Sequence, residues 1–363
     1  MARTADQRRA LRDVVRCRTA ALGGHVRRCA GCAQSHIAYN SCRNRHCPKC
    51  CAGQQARWLS REATNLLPVE YHHVVFTLPA QVHPVGLLNP VSVYEALSGA
   101  AAEAIRVVAA DPKYLGAEVG LLLVLHTWGQ TLSYHPHAHA VVTGGGLTPE
   151  GRWRSCRPGF FVPVRVLGRV FRGLFLARMR AAFACGKLAG FADRGAFELW
   201  AGALVTKDWV VYAKPPFGGP AVVLKYLARY THRVAISNSR LVKLEGGRVT
   251  FGYKDYADAS KSKTLTLSAG EFVRRWVQHV LPRGFVKIRH YGLLANRHRE
   301  AKLAQCRRWL WASGYGRVSW IPEPAWVERC VVCGCDRWVV VERLGPLGAD
   351  GPVCPAVTRV DSS

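Results

Sequence analysis

Acidic side chains are scarce in this chain. Its 363 residues hold 23 Asp and Glu against 51 Lys and Arg, a formal charge of +28. An excess of that size exceeds ordinary surface decoration and points to a polyanionic partner, most commonly nucleic acid. An anionic membrane surface is the competing reading, but no long basic helix with a clean apolar face supports it. Long apolar runs are also lacking. Val119-Gly120-Leu121-Leu122-Leu123-Val124-Leu125 is too short to span a bilayer and reads as a buried strand. Arg3, Arg8, Arg9 and Arg12 have no apolar stretch behind them, so no secretory signal and no membrane partner are expected, and the protein is expected in the cytoplasm with the nucleoid. No Gly-x-x-x-x-Gly-Lys-Ser/Thr string occurs, so any strand unwinding is left to a host helicase or to replication. Internal repeats and low-complexity tracts are absent as well.

What is present is a foldable chain. Hydrophobic residues make up 49%, and the length suits one large domain or two to three smaller ones, each with its own core. Seven of the 14 cysteines fall within the first 51 residues. Cys29-x-x-Cys32 and Cys47-x-x-Cys50 have the spacing of two metal knuckles, which together would close one tetrahedral structural Zn2+ site. Free or redox thiols are the alternative. Cys17, His25, His36, Cys42, His46 and Cys51 are left over, and no spacing singles out ligands for a second zinc. The tail has Cys330-x-x-Cys333-x-Cys335 with only Cys354 beyond, which supplies no second knuckle for a ribbon there. Arg43, Arg45 and Lys49 lie between the expected ligands, where they either reach a phosphate backbone or remain solvated loop residues.

Patterning divides the chain into three parts. Residues 1–66 form a Cys-rich head ending in a helix from Ala52 to Asn65. Residues 67–268 alternate strand-like and helix-like segments. Strands are expected at Tyr71–Leu78, Leu121–Thr127 and His137–Thr143, the last ended by Gly144-Gly145-Gly146, with a short one at Trp209–Tyr212. Helices are expected at Val91–Ala109, Val164–Leu188 and Pro220–His232, and a hairpin at Val234–Tyr256 turning on Gly246-Gly247. Residues 269–363 hold a helix, a basic aromatic segment and the Cys-bearing tail.

Two strings carry the chemistry. In His135-Pro136-His137-Ala138-His139, strand alternation points His137 and His139 to the same side of a sheet. Pro136 stiffens the lead-in and an apolar strand follows. With His126 on a neighbouring antiparallel strand, these residues would hold a divalent ion with positions left open for phosphate; Gln130 and His135 compete as third ligand. A lone His-x-His can also be mere polar surface. In Tyr226-Leu227-Ala228-Arg229-Tyr230, two tyrosines four apart share one helix face. They border a stripe of Lys225, Arg229 and Arg233, where phenolic nucleophiles would meet a phosphate held by cations. Alone, this helix fits two amphipathic tyrosines packed at a core rim better than it fits nucleophiles, and the metal strand reverses that balance. The segment Arg283-Gly284-Phe285-Val286-Lys287-Ile288-Arg289-His290-Tyr291 interleaves cations and aromatics as a nucleic-acid surface does, with Lys287, Arg289 and Tyr291 as candidate contacts. A surface hairpin would look the same.

Taken in order, several strings resemble the two-tyrosine rolling-circle transposases of the insertion-sequence-ninety-one family, members of the HUH endonuclease superfamily. They are Leu22-Gly23-Gly24-His25, Asn40-Ser41-Cys42-Arg43-Asn44-Arg45-His46-Cys47-Pro48-Lys49-Cys50, Val74-Val75-Phe76-Thr77-Leu78-Pro79 and Leu125-His126-Thr127-Trp128-Gly129-Gln130. The two strings above, extended through Thr231-His232-Arg233, and Ile288-Arg289-His290-Tyr291-Gly292 complete the set. The resemblance implies an α+β fold in which an HUH nuclease core, a mostly antiparallel sheet flanked by helices, follows a small Cys-rich zinc module. It implies that His137 and His139 bind Mg2+ or Mn2+, that Tyr226 and Tyr230 are nucleophiles forming 5′-phosphotyrosine links, and that the head cysteines serve DNA binding. The implied partner is single-stranded DNA at element ends. A plasmid replication initiator uses the same chemistry. A non-catalytic zinc DNA-binding protein derived from a transposase would need neither the histidines nor the tyrosines.

Overall fold

Alternate side chains of Leu121–Leu125 and Ala140–Val142 are apolar on both sides, so a strand built from either must be covered on two faces. The computed structural model describes residues 4–214, Val222, 235–316 and 327–347. The expected helix at Pro220–His232, Val222 apart, lies outside the described residues with Lys225, Tyr226, Arg229 and Tyr230, as do Arg233 and Cys354. In chain order the described elements are α1 (Ala5–Arg16), β1 (Gly24–Cys29), β2 (Ser35–Tyr39), α2 (Cys51–Ala63), β3 (Tyr71–Thr77), α3 (His83–Leu88), α4 (Pro90–Ala110), β4 (Glu118–Trp128), β5 (Tyr134–Leu147) and β6 (Trp153–Ser155). They continue with α5 (Val164–Ala184), α6 (Arg194–Val205), β7 (Val211–Lys214), β8 (Leu241–Glu245), β9 (Arg248–Asp255), β10 (Lys261–Ser268), α7 (Ala269–Val277), β11 (Ile288–Gly292), α8 (Arg299–Ala312) and β12 (Trp338–Leu344). Among the described residues, no helix is long and apolar enough to cross a membrane.

Two compact units result, Met1–Gly53 with Pro324–Ser363, and Gln54–Glu323. This differs from a three-part chain. The expected C-terminal part is split, because β12 pairs antiparallel with β1 and completes a three-stranded sheet in the order β12-β1-β2. Helix α1 of this unit opens on a reciprocal cap between Thr4 and Gln7, which satisfies two otherwise orphaned backbone donors.

The second unit is α+β. Its main sheet runs β11-β4-β5-β3-β7, with β6 on the flank of β5, and every pair is antiparallel. On one face, Leu121, Leu123 and Leu125 with Ala138, Ala140 and Val142 pack against α4 and α5. Ala100, Ala101 and Ala104 let α4 lie close, and Phe171 and Phe175 of α5 are fully buried beneath it, each stabilising by about 1.5–3 kcal/mol. On the opposite face, Leu122, Val124, Tyr71 and Val141 meet Leu303 and Leu310 of α8 and Trp58 of α2. A separate sheet in the order β10-β9-β8 turns at Gly246 and Gly247, both at positive φ (54° and 70°), as a two-residue hairpin requires.

The glycine triplet does not end β5. The strand runs through Gly144, Gly145 and Gly146 to Leu147. A Cβ on Gly144 would lie 2.7 Å from the Glu70 carbonyl oxygen, and one on Gly146 would collide with that of Glu118. These glycines permit close backbone approach rather than a turn. The basic aromatic segment also differs from a free hairpin: its end is β11, an edge strand paired with β4.

Candidate metal centre

The second face of the main sheet changes character along its strands. Leu122 and Val124 lead to His126 on β4, Val141 leads to His139 and His137 on β5, and Tyr71 leads to His73 on β3. Period-two alternation makes each series share a side. His126 pairs directly with His137 and Val124 with His139, while Val75 of β3 faces His139. The rings of His126 and His139 lie 4.3 Å apart, those of His137 and His139 4.8 Å, and those of His126 and His137 5.3 Å. One nitrogen from each of the three lies within 4.8 Å of the others, so the three can share one ion. Of the rival third ligands, Gln130 instead bonds the Tyr256 hydroxyl at 3.3 Å, and the His135 ring stands 5.8 Å from that of His83.

Hydrogen bonds orient these rings. His137 Nδ1 donates to the His135 carbonyl at 2.7 Å, which leaves Nε2 as the ring's lone pair. Burial pushes the His137 imidazolium down to about 4, so the ring is neutral and able to ligate at neutral pH. His139 Nδ1 lies 2.8 Å from His73 Nε2, with the two rings stacked at 6°. When His139 Nδ1 donates in this pair, its Nε2 is free to ligate. His73 is a site residue that strand patterning alone missed. Its signal was position, on the side of β3 opposite Val74 and Phe76.

The β4–β5 turn is held from outside the sheet. His279, just after α7, bonds Thr127 Oγ1 and the Leu132 carbonyl, both at 3.2 Å. Arg275 donates to the Thr131 carbonyl at 3.0 Å, and Arg240 bridges the carbonyls of Gln130 and Gly252. Above the histidines opens a cleft of about 1060 Å³, lined by Trp128, Tyr212, Tyr253, Tyr256 and Ala235 among others. Tyr212 and Tyr256 are 53% and 68% exposed, leaving their faces open to flat, aromatic ligands. Tyr212 and Ala235 stand in sequence on either side of the undescribed stretch that holds Tyr226 and Tyr230.

The candidate phosphate contacts diverge. Arg43 and Lys49 are exposed, and Arg45 is half-buried, its pKa lowered by burial. Lys287 Nζ lies 4.9 Å from the Trp128 ring. Arg289 is committed elsewhere, with its two terminal nitrogens on Glu95 at 2.6 and 2.5 Å. Tyr291 packs against the main core.

The cysteines do not close the expected single site. Cys47 and Cys50 group with Cys17 and Cys42, with Cys17–Cys50 and Cys42–Cys50 sulfur separations of 3.3 and 3.6 Å. Cys29 and Cys32 group instead with Cys330 and Cys333. The reason is the β1–β2 hairpin. Cys29 and Cys32 occupy its turn end, while Cys17 and Cys42 lie at its open end, where Asn40 bonds Arg18 and Gly23. Six strand residues separate the ends by about 17 Å. Sulfurs held 3.3–3.6 Å apart are too distant for a disulfide and match the spacing of about 3.8 Å around tetrahedral zinc. Burial raises the Cys42 and Cys47 thiols, so a bound cation is what would favour thiolates there.

A family profile described as "Putative transposase" matches residues 120–302, and one described as "Transposase zinc-binding domain" matches residues 2–78. The "Putative transposase y4qJ" of Sinorhizobium fredii (strain NBRC 101917 / NGR234) is 53% identical over 308 residues, 83% of this chain and 77% of that protein. The "Transposase for insertion sequence element IS801" of Pseudomonas savastanoi pv. phaseolicola is 30% identical over 293 residues, 77% of this chain and 68% of that protein. Among solved structures, the relaxase TrwC bound to a 27-mer DNA aligns at 14% identity over 67% of this chain and 74% of that one, with a TM-score of 0.25. The first profile spans half of the chain and both relatives are named transposases. The chain therefore belongs to the transposases of the insertion-sequence-ninety-one family and carries a transposase zinc-binding domain.

Proposed function

We propose that this transposase cuts and rejoins single-stranded DNA at the ends of its element by a metal-dependent tyrosine mechanism. The observation that carries this reading is the convergence of His126, His137 and His139 in a cleft lined by both Tyr212 and Ala235, which lie in sequence on either side of the Tyr226–Tyr230 stretch. Three imidazole ligands suit Mn2+ better than Mg2+, a hard ion that favours oxygen ligands. A bound divalent ion supplies Lewis acidity to the scissile phosphate.

The chain's own residues do the rest. His73 fixes the His139 ring, and the bond from His137 to its own strand fixes the second. Lys225, Arg229 and Arg233 favour the phenolate of a tyrosine whose ordinary pKa is near 10. The phenolate oxygen of Tyr226 or Tyr230 attacks phosphorus, the bond to the 3′ oxygen breaks, and that oxygen takes up a proton. A 5′-phosphotyrosine remains, and its bond energy allows a 3′-hydroxyl to reseal the strand without ATP. The second tyrosine lets another strand be cut before the first is released. Trp128, Tyr253 and Tyr256 stack unpaired bases, and Arg43, Lys49 and Lys287 contact phosphates. The zinc-bearing head engages DNA, the 67–268 core carries the chemistry, and a host helicase or replication fork exposes the strand in the cytoplasm.

The test incubates protein, Mn2+ and single-stranded element ends, then resolves products on a denaturing gel. A covalent protein–DNA adduct is expected with wild type and with each single Tyr→Phe variant at reduced yield. Adduct that persists in the Tyr226→Phe/Tyr230→Phe double variant would defeat the assignment.

A further inference from the structure

We propose that Cys29, Cys32, Cys330 and Cys333 form a second structural zinc site that clasps the far end of the chain to its head. The zinc-binding profile ends at residue 78, so half of these ligands lie well beyond it. The four sulfurs lie within 4.8 Å of one another, with Cys29–Cys333 at 3.5 Å and Cys32–Cys330 at 3.6 Å. These distances suit four thiolates around one tetrahedral zinc.

The two halves are built alike. In the first, the Ala33 amide bonds the Cys29 carbonyl at 3.0 Å, and the Cys29 amide bonds the Gln34 carbonyl at 2.9 Å. In the second, the Gly334 amide bonds the Cys330 carbonyl and the Cys330 amide bonds the Cys335 carbonyl, both at 2.8 Å. Ala33 and Gly334, each directly after the second cysteine, both adopt positive φ, 59° and 72°. The same turn thus recurs around Cys-x-x-Cys at two places 301 positions apart in sequence (330 − 29), and the two face each other. A Cβ on Gly31 would lie 3.2 Å from Cys333 Sγ, so the apex of the first knuckle is shaped to the second.

Contacts around the quartet hold the same pairing. β12 lies along β1 with Trp338 opposite Cys29. The Arg27 guanidinium bonds both oxygens of Glu328 at 3.0 and 2.7 Å and stands 4.8 Å from the Trp338 ring. Cys335 belongs to neither quartet.

Native mass spectrometry of the full-length protein purified without chelator tests the clasp. Two zinc ions per chain are expected, falling to one in Cys330→Ser/Cys333→Ser. One zinc in wild type, or two in the variant, would overturn the proposal. Should that variant fail to fold, wild type is labelled with N-ethylmaleimide and mapped by peptide. Cys330 and Cys333 should be protected together with Cys29 and Cys32 until a chelator is added, while exposed Cys185 reacts throughout. Labelling of Cys330 and Cys333 at the rate of Cys185 in zinc-loaded protein, or protection of Cys335 in place of Cys330, would reject the ligand set.

Discussion

His73 Nε2 stands 2.8 Å from His139 Nδ1 across the β3–β5 pair, so one imidazole aligns another. Replacing His73 with Phe keeps the ring volume but removes the nitrogen. Mn2+ affinity is expected to fall about 10–100-fold, the usual cost of losing a partner behind a metal-binding histidine. Isothermal titration with Mn2+ checks this, and unchanged affinity would mean that His73 only packs.

Commitment of Arg289 to Glu95 separates two kinds of cation. In single-strand binding, each phosphate contact contributes about 0.7 to the slope of log affinity against log salt. Arg43→Ala/Lys49→Ala should lower that slope by about 1.4, and Arg289→Ala should leave it unchanged. The Arg289 variant should instead lose about 0.5–1 kcal/mol of stability, because its partner Glu95 is half exposed. An equal drop in slope for Arg289→Ala would place its guanidinium on DNA.

Burial pushes the His279 imidazolium down to about 4, against about 6.5 in an unfolded chain. Because the folded value is depressed, the neutral ring's contribution is complete above pH 6.5 and is lost as pH falls towards 4. The loss amounts to roughly 3 kcal/mol. Urea unfolding at pH 7 and pH 5 should show the decline in wild type, and a smaller one in His279→Gln. A variant as pH-sensitive as wild type would assign the decline to other groups.

Two glycine substitutions should act in opposite directions. Gly146→Ala forces a Cβ onto the Glu118 carbonyl in the middle of paired backbone and should destabilise by about 1–3 kcal/mol. Gly202→Ala, at an exposed position of helix α6 where a Cβ would meet nothing within 4 Å, should stabilise by up to about 1 kcal/mol. Thermal melts of both variants make the comparison.

Local patterning located the strands that carry the histidines, because alternation and the spacing of His137 and His139 are properties of consecutive residues. The position of His126 needed one further step, the antiparallel pairing of two neighbouring strands. His73 was hidden because its partner comes from a strand 66 positions away, and no periodicity reports cross-strand register. Gly144–Gly146 read as the end of a strand because closeness of other backbones cannot be seen in a glycine run. The cysteines misled for a related reason. Equal spacing within each Cys-x-x-Cys is local, but which knuckles meet depends on hairpin length and on a tail strand pairing with β1.

That tail strand has a consequence for biosynthesis. Cys32 and Cys330 are separated by 298 positions, so at about 5–20 residues per second a ribosome needs about 15–60 s to make one after the other. The N-terminal hairpin has one sheet edge bare from its own synthesis until the tail strand has been made. A nascent chain that stalls or is released before that point would therefore carry an unfinished N-terminal sheet, whatever the state of its main sheet.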